Sequence, residues 1–224
     1  APADITDSIA ITYPGITVDK ISLLENRHYA TIDITITPEA KPGTMQIQFI
    51  KKKKRKRIPF NLLERNNENG NTRVQGVRSK DLVYLIMPDR FCNGDTANDK
   101  IMGMRDEMSD RSNMYARHGG DLKGIQNHLD YFIELGVTSL WLTPVIENDM
   151  PLTDEGGTKR STYHGYAFTD HYNIDKRFGG NKAYKELIDS MHSKGLKIIQ
   201  DAVYNHVGAS HWFAIDPPMN NWYN

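Results

Sequence analysis

Three stretches of this chain bring acids, amides and imidazoles close enough together to hold a ligand or take part in a reaction. In Leu196-Lys-Ile-Ile-Gln-Asp201-Ala-Val-Tyr-Asn205-His206, a short apolar run ends in an acid, an amide and an imidazole within six residues. Tyr163-His164-Gly165-Tyr166-Ala-Phe168-Thr-Asp170-His-Tyr172 interleaves aromatic rings with His and Asp. Such a set suits a sugar, whose apolar face stacks on a ring while imidazole and carboxylate bind its hydroxyls. The same residues also make an aromatic cluster that packs a loop down with its histidines at the surface, and residue types alone lean that way. The third stretch is Asn93-Gly94-Asp95-Thr-Ala-Asn98-Asp99, followed later by Gly119-Gly-Asp121. Its side chains are the hard oxygen donors that Ca²⁺ takes, and Gly94 permits a turn sharp enough for neighbours to converge. Asn, Asp and Gly also simply make loops and cap helices, with Asp121 as an N-cap, and composition alone favours that reading.

Other chemistries fit less well. His and Asp are frequent zinc ligands, but there is no His-x₃-His and no Cys pair, and these loops are rich in oxygen donors. Asp201, Asn205 and His206 also serve as turn and capping residues. Trp212 and Trp222 follow the last apolar run, where a Trp is more often packing than a sugar platform.

The elements that must position these groups differ between the two ends of the chain. From Ile9 to about Val77 the pattern is β. In Tyr29–Thr37, Ile32, Ile34 and Ile36 share one face and Thr31, Asp33, Thr35 and Thr37 the other, a period of two that marks a half-buried strand. Ser8–Thr12, Val18–Leu24, Met45–Ile50 and Thr72–Val77 read similarly, with turn chemistry at Pro14-Gly15, Pro42-Gly43 and Asn69-Gly70. Short strands at this spacing predict a small β-sandwich. After residue 80 the texture changes. Asp81–Met87 predicts a strand, and Asp121–Gly136 a helix with Leu122, Ile125, Leu129, Phe132 and Ile133 on one face. Val137–Leu142 predicts the next strand. Asn181–Lys194 predicts a second helix with Tyr184, Leu187, Ile188 and Met191 inward, and Leu196–Gln200 a buried strand whose mouth carries Asp201, Asn205 and His206. A βαβαβ series with long loops after the strands describes the opening of a (β/α)₈ barrel better than a nucleotide-binding sheet, and no Gly-x-Gly-x-x-Gly follows a strand. A complete barrel takes roughly 250 residues, so the expectation is the front part of a larger protein.

Lys plus Arg and Asp plus Glu are both 28, which removes any global pull toward nucleic acid or membrane. No apolar run approaches the ~20 residues of a membrane-spanning helix. Cys92 is the only cysteine, so no intrachain disulfide forms and the redox compartment stays open. The strongest local charge is Lys51-Lys-Lys-Lys-Arg-Lys-Arg57. With no aromatic interleaved, it reads as a solvated hairpin tip between strands ending at Ile50 and beginning at Ile58 rather than as a nucleic-acid patch.

Together these motifs resemble the alpha-amylase family of glycoside hydrolases. Asp201-Ala-Val-Tyr-Asn-His206 resembles that family's first conserved region, at the end of barrel strand three, and Tyr163-His-Gly-Tyr166 its signature after strand two. Pro88-Asp-Arg-Phe-Cys-Asn-Gly-Asp with Gly119-Gly-Asp121 resembles the cyclomaltodextrinase, neopullulanase and maltogenic amylase branch. The resemblance implies two domains: an immunoglobulin-like β-sandwich over residues 1–79, and the first three strands of a (β/α)₈ barrel over residues 80–224. It also implies a retaining attack on α-1,4-glucosidic bonds by paired carboxyl groups. By position, Tyr166 would stack on the sugar, His164 and His206 would bind its hydroxyls, and Asp201 would hold the strand-three mouth in shape. Structural calcium would be held by Asn93, Asp95, Asn98, Asp99 and Asp121 with the Gly119 carbonyl. Asn205 matches a calcium ligand of other members, at a site that needs partners from later segments.

The family's nucleophile, acid/base and third carboxylate follow strands four, five and seven, beyond this chain. The expectation is therefore a parent that hydrolyses α-glucans, and a 224-residue piece that does not. Rival readings are a non-catalytic α-glucan-binding protein and a 4-α-glucanotransferase. The expected partner is an α-glucan oligosaccharide (cyclodextrin, pullulan or starch-derived), with no nucleic acid and no membrane span, and a homodimer formed in the full-length protein. The Ala-Pro-Ala-Asp start looks like either a processed leader or a chosen boundary. Periplasm or secretion is expected, with the cytoplasm as the alternative.

Overall fold

The alternating N-terminal stretch forms five strands: β1 (Ser8–Ile11), β2 (Ile16–Leu23), β3 (Ala30–Ile36), β4 (Gly43–Lys51) and β5 (Lys54–Leu62). The computed structural model describes residues 8–65, 68, 74 and 76–223. It divides into two compact units, Ala1–Gly76 with Asp216–Asn224, and Val77–Ile215. In the first unit β1, β4 and β5 make an antiparallel sheet in the order β1-β4-β5, and β2 pairs antiparallel with β3. The β2–β3 register shifts between Val18 and Lys20, and the Asp19 carboxylate in that irregularity accepts a 2.7 Å bond from the Thr35 hydroxyl. Ile9 and Met45 are buried, and Ile32 and Ile34 are half-buried between exposed Thr and Asp, as the alternation requires.

Three details differ from the sequence reading. The hairpin between β4 and β5 turns at Lys52-Lys53 alone, and Lys54–Arg57 are already paired in the ladder. Lys52 takes the positive φ of 52° that tight hairpin turns use. The turn Asn69-Gly70 and half of Thr72–Val77 lie outside the described residues; Val74, Gly76 and Val77 are described and are not in a strand. Sequence texture places residues 216–224 in the second domain, yet they group with the first unit. The Asp216 carboxylate accepts from Asn26 Nδ2 at 2.5 Å and lies 2.8 Å from His28 Nδ1, while the Tyr29 hydroxyl donates to the Asp216 carbonyl at 2.6 Å. No periodicity announces contacts made one side chain at a time.

The second unit is built on β6 (Val83–Ile86), β7 (Ser139–Leu142) and β10 (Lys197–Gln200), all parallel in the order β10-β7-β6. Between β6 and β7 come α1 (Pro88–Phe91), α2 (Leu122–Asn127) and α3 (Leu129–Glu134). Between β7 and β10 come the small hairpin β8 (Thr153–Glu155) and β9 (Thr158–Arg160), absent from the sequence reading although Gly156-Gly157 is hairpin-turn chemistry, and α4 (Gly180–Ser193). A short α5 (Trp212–Ile215) follows. The core joins Leu122, Ile125, Leu129 and Phe132 to Leu140, Leu142, Leu187 and Met191. Phe132 is fully buried against Tyr84 and Phe91, and its truncation to Ala would cost about 3–5 kcal/mol.

The predicted helix 121–136 is two helices rather than one. The His128 imidazole sits 2.8 Å from the Gly124 carbonyl, the acceptor its own amide would use in an unbroken helix, and that amide bonds Ile125 O instead. The buried face still continues through Leu129 and Phe132 in the second segment, but Ile133, predicted inward, is 42% exposed. On the sheet, Tyr84, Leu140 and Ile198 pack toward the helices. Leu85 and Trp141, in register with one another and with Ile199, face the other way and are exposed. β10 is half-buried rather than buried, consistent with its place at the edge of this sheet.

Candidate functional site

At the carboxyl ends of β7 and β10, three of the four predicted sugar-site residues converge on the fourth, Tyr166. Asp201, the residue after β10, accepts from the Tyr166 hydroxyl at 2.9 Å. The Tyr166 amide donates to His164 Nδ1 at 3.0 Å, and His206 Nε2 lies 2.8 Å from the Tyr166 carbonyl. Amide, carbonyl and hydroxyl are thus all engaged, while the ring remains 37% exposed and stacks on His164 with centroids 5.8 Å apart. Gly165 makes the turn possible: its φ is +88°, and a Cβ there would overlap the Pro144 carbonyl oxygen.

These bonds assign the tautomers. Because His164 Nδ1 accepts an amide proton, its own proton sits on Nε2 and points outward as a donor. Burial, assisted by the Arg117 charge, lowers the His164 pKa and favours this neutral form. The bond to a carbonyl makes His206 Nε2 a donor, spent on the protein rather than left for a hydroxyl. That ring's remaining nitrogen, Nδ1, lies 3.4 Å from Asn205 Nδ2. Burial and then the bond to Asp201 raise the Tyr166 phenol, which stays protonated and donating.

Sequence reasoning missed the groups that support this constellation. The Trp141 indole N–H, near the end of β7, donates to the same Asp201 oxygen at 3.2 Å; its out-facing place in a strand beside the mouth was a usable signal. Asn148 is buried and clasps Thr162 twice, donating to its carbonyl at 2.6 Å and accepting from its hydroxyl at 2.7 Å. Its amide donates to Asp175 and its carbonyl accepts from Arg177 at 2.7 Å. Burial alone would raise the Asp175 carboxyl, but the bonds and charge of Arg177, with the charge of Arg117, hold it below the usual range. No spacing rule pairs an Asn with a Thr fourteen positions on. The Arg90 guanidinium lies 3.7 Å over the Tyr163 ring, which makes Tyr163 a packing group. Trp212 packs on His211 and Tyr172, as expected of a late Trp.

Five of the six predicted calcium residues, Asn93, Asn98, Asp99, Gly119 and Asp121, bring side chain or backbone to one loop cluster. Asp121 caps α2, its Oδ1 accepting from Gly94 N at 3.1 Å and Gly124 N at 2.6 Å. Its Oδ2 accepts from Asp95 N at 2.9 Å and Asn98 Nδ2 at 3.1 Å. Asn93 Nδ2 donates to Asp99 Oδ1 at 2.7 Å. A Cβ on Gly119, where φ is +78°, would lie 2.6 Å from that same Asp99 oxygen, which places the Gly119 backbone against both side chains. Asp95 stands apart, its carboxylate accepting from the Ala97 amide in its own turn. Two atoms in the cluster lack any partner: Asn93 Oδ1 and Asn98 Oδ1, both buried. Each is a hard oxygen acceptor whose desolvation is uncompensated at a cost of about 1–3 kcal/mol, and such oxygens suit a hard cation. Among the described residues no three His, Cys, Asp or Glu side chains form a metal site by themselves, so a cation here depends on amide and backbone oxygens.

Residues 85–220 match the model of the alpha amylase catalytic domain. The chain belongs to the alpha-amylase family. Residues 4–66 match the cyclomaltodextrinase N-terminal domain, so the family's catalytic-domain sequence is preceded here by that branch's N-terminal domain. The periplasmic alpha-amylase of Escherichia coli (strain K12) is 40% identical over 131 residues, 56% of this chain and 19% of that protein. Neopullulanase 2 of Thermoactinomyces vulgaris is 37% identical over 127 residues, 57% of this chain and 20% of that protein. Among solved structures, an Anoxybacillus alpha-amylase aligns with TM-score 0.54 and 36% identity over 64% of this chain and 28% of its own. This alpha-amylase family chain therefore spans about a fifth of the length of those two relatives.

Proposed function

We propose that these residues form the N-terminal sandwich and the opening strands of the (β/α)₈ barrel of an enzyme that cleaves α-1,4-glucosidic bonds in maltodextrins or cyclodextrins with retention. Their part is to seat the sugar. The observation that carries this reading is the convergence of His164, Asp201 and His206 on Tyr166, which holds an exposed ring rigid at the mouth of the parallel sheet. A rigid ring beside an outward Nε2–H is what a pyranose face and its hydroxyls require. His206 then acts by fixing Tyr166, with hydroxyl contact left to Nδ1.

A retaining glycosidase needs two carboxyl groups about 5–5.5 Å apart, one as nucleophile and one as acid/base. The groups bonded to Tyr166 include a single carboxylate, Asp201, already committed to Tyr166 and Trp141. On this reading the 224 residues bind and orient the sugar but do not cut it. The test is maltoheptaose with the purified chain. Trp141 on Asp201 should report binding as a fluorescence change that Tyr166→Ala removes, with no maltose or glucose released. Release of either sugar by material free of host amylase would defeat this division of labour, and an unchanged signal in Tyr166→Ala would defeat the site.

Calcium in the Asn93–Asp99 loop belongs to the same proposal. The unpartnered oxygens of Asn93 and Asn98 support it, with Asp99 and the Gly119 carbonyl as further donors. The ion would supply the positive charge that fixes this loop against the start of α2. Calcium at a hundredfold excess over its Kd should stabilise the fold by about 2.7 kcal/mol, read as a rise in Tm reversed by a chelator. Asn98→Ala should abolish the response; a calcium-independent Tm would refute the site.

A further inference from the structure

Seven consecutive cations, Lys51–Arg57, sit on a chain whose formal charge is zero, so the remainder of the chain is net negative. The hairpin concentrates them. Lys51 lies directly across from Lys54, and Arg55, Lys56 and Arg57 follow along β5 opposite Ile50, Phe49 and Gln48. Lys52–Arg57 are all exposed. Like charges placed opposite one another or in close succession on a ribbon repel and cost stability. Among the described residues no ion pair joins any of Lys53–Arg57 to a carboxylate. For these five cations the described residues supply no compensating carboxylate.

Their arrangement says what could supply the compensation. Strand pleating sends Lys54 and Lys56 to one face of the ribbon and Arg55 and Arg57 to the other, with Lys52 and Lys53 at the turn. The charge surrounds the end of the hairpin instead of lining one side. A rod-like polyanion meets a ribbon along one face, and binding to single strands relies on aromatic stacking, for which this run has no ring. A charged plane met end-on is reached by the turn and by both faces at once. From the turn to Arg57 is about four residues, roughly 13 Å of strand, and long cationic side chains lean their heads toward the polar surface. That brings every head to about a Debye length of the plane, ~8–10 Å at physiological salt.

We propose that the β4–β5 hairpin docks end-on against an anionic lipid surface, setting Lys52–Arg57 among acidic headgroups. The contact is peripheral and reversible, with no apolar insertion. Polybasic segments gain roughly fivefold in partition for each Lys or Arg brought to such a surface.

The test is co-sedimentation of the full chain with vesicles of phosphatidylcholine alone, and of equimolar phosphatidylcholine and phosphatidylglycerol, at low and high NaCl. The expected result is binding to the acidic vesicles only, lost at high salt. Lys53→Gln, Lys54→Gln, Arg55→Gln and Arg57→Gln combined should lower the partition by several hundredfold, on the order of fivefold per charge. Arg55→Lys with Arg57→Lys should keep it, which separates charge from folding damage. Lys100→Gln, Lys123→Gln, Lys159→Gln and Lys182→Gln combined remove the same charge elsewhere and should also keep it. Equal binding to neutral vesicles, insensitivity to salt, or equal loss in this last variant would overturn the proposal. So would tighter binding to a DNA oligonucleotide than to acidic vesicles at the same ionic strength, which would make the surface a nucleic-acid one.

Discussion

Tyr166 is held by its amide, its carbonyl and its hydroxyl, and each anchor comes from a different residue. His164 pairs its Nδ1 with that amide and has its pKa lowered chiefly by burial. A histidine whose folded pKa lies below its unfolded value of about 6.5 gives full stability above that value and loses it as pH falls through the folded one. His164 should therefore titrate below the free-histidine midpoint in an NMR experiment, and a midpoint above it would contradict the assigned tautomer. Residue types and motif spacing picked out His164, Tyr166, Asp201 and His206 as a group. They were silent on direction: that His206 spends its Nε2 on a backbone carbonyl depends on how two loops cross. They are silent too on Asn148, whose bonds to Thr162, Asp175 and Arg177 leave no period in the sequence.

At the scale of elements, the three parallel strands are tied together at their amino ends by one side chain. Asp81, just before β6, accepts from Lys197 Nζ at 2.7 Å at the start of β10 and from the Thr138 hydroxyl at 3.0 Å just before β7. The Lys197 bond and the Arg78 amide lower the Asp81 pKa from its ordinary value near 3.8 to about 2. A depressed carboxyl contributes stability that is complete above its unfolded pKa and disappears as pH falls through the folded value. The acid limb of unfolding should thus lie between about pH 4 and 2 in its Asp81 component, and Lys197→Met should shift that limb toward higher pH. An unchanged acid limb would show the clasp to be idle. Periodicity located the helix core at Leu122, Ile125, Leu129 and Phe132 because those residues obey one helical repeat. It fails at Ile133 because the repeat does not say how wide the buried stripe is: Leu129 and Phe132 on the same segment are buried and Ile133 is 42% exposed.

Over the whole molecule, chain order and spatial grouping part company at residue 216. Asp216 holds Asn26 and His28, and Asn220 bonds Glu25, so the last residues complete the unit that the first residues begin. Truncation after Ile215 should lower the thermal stability of the first unit by about 1–3 kcal/mol, the worth of a few such bonds, and leave calcium stabilisation of the second unchanged. Calorimetry on the shortened chain checks both. A last consequence follows from the pair Asn148 and Thr162. Two bonds join them across the base of the segment that carries β8 and β9, which brings the two ends of that segment together. Asp149, Met150 and Ser161 near those ends bond Arg105, Ser210 and Tyr115, whereas the Gly156-Gly157 tip has open space around it. Residues inserted at the Gly156-Gly157 tip should therefore extend into open space and leave the Tyr166 ring where it is, which makes this tip a place where a designer can graft.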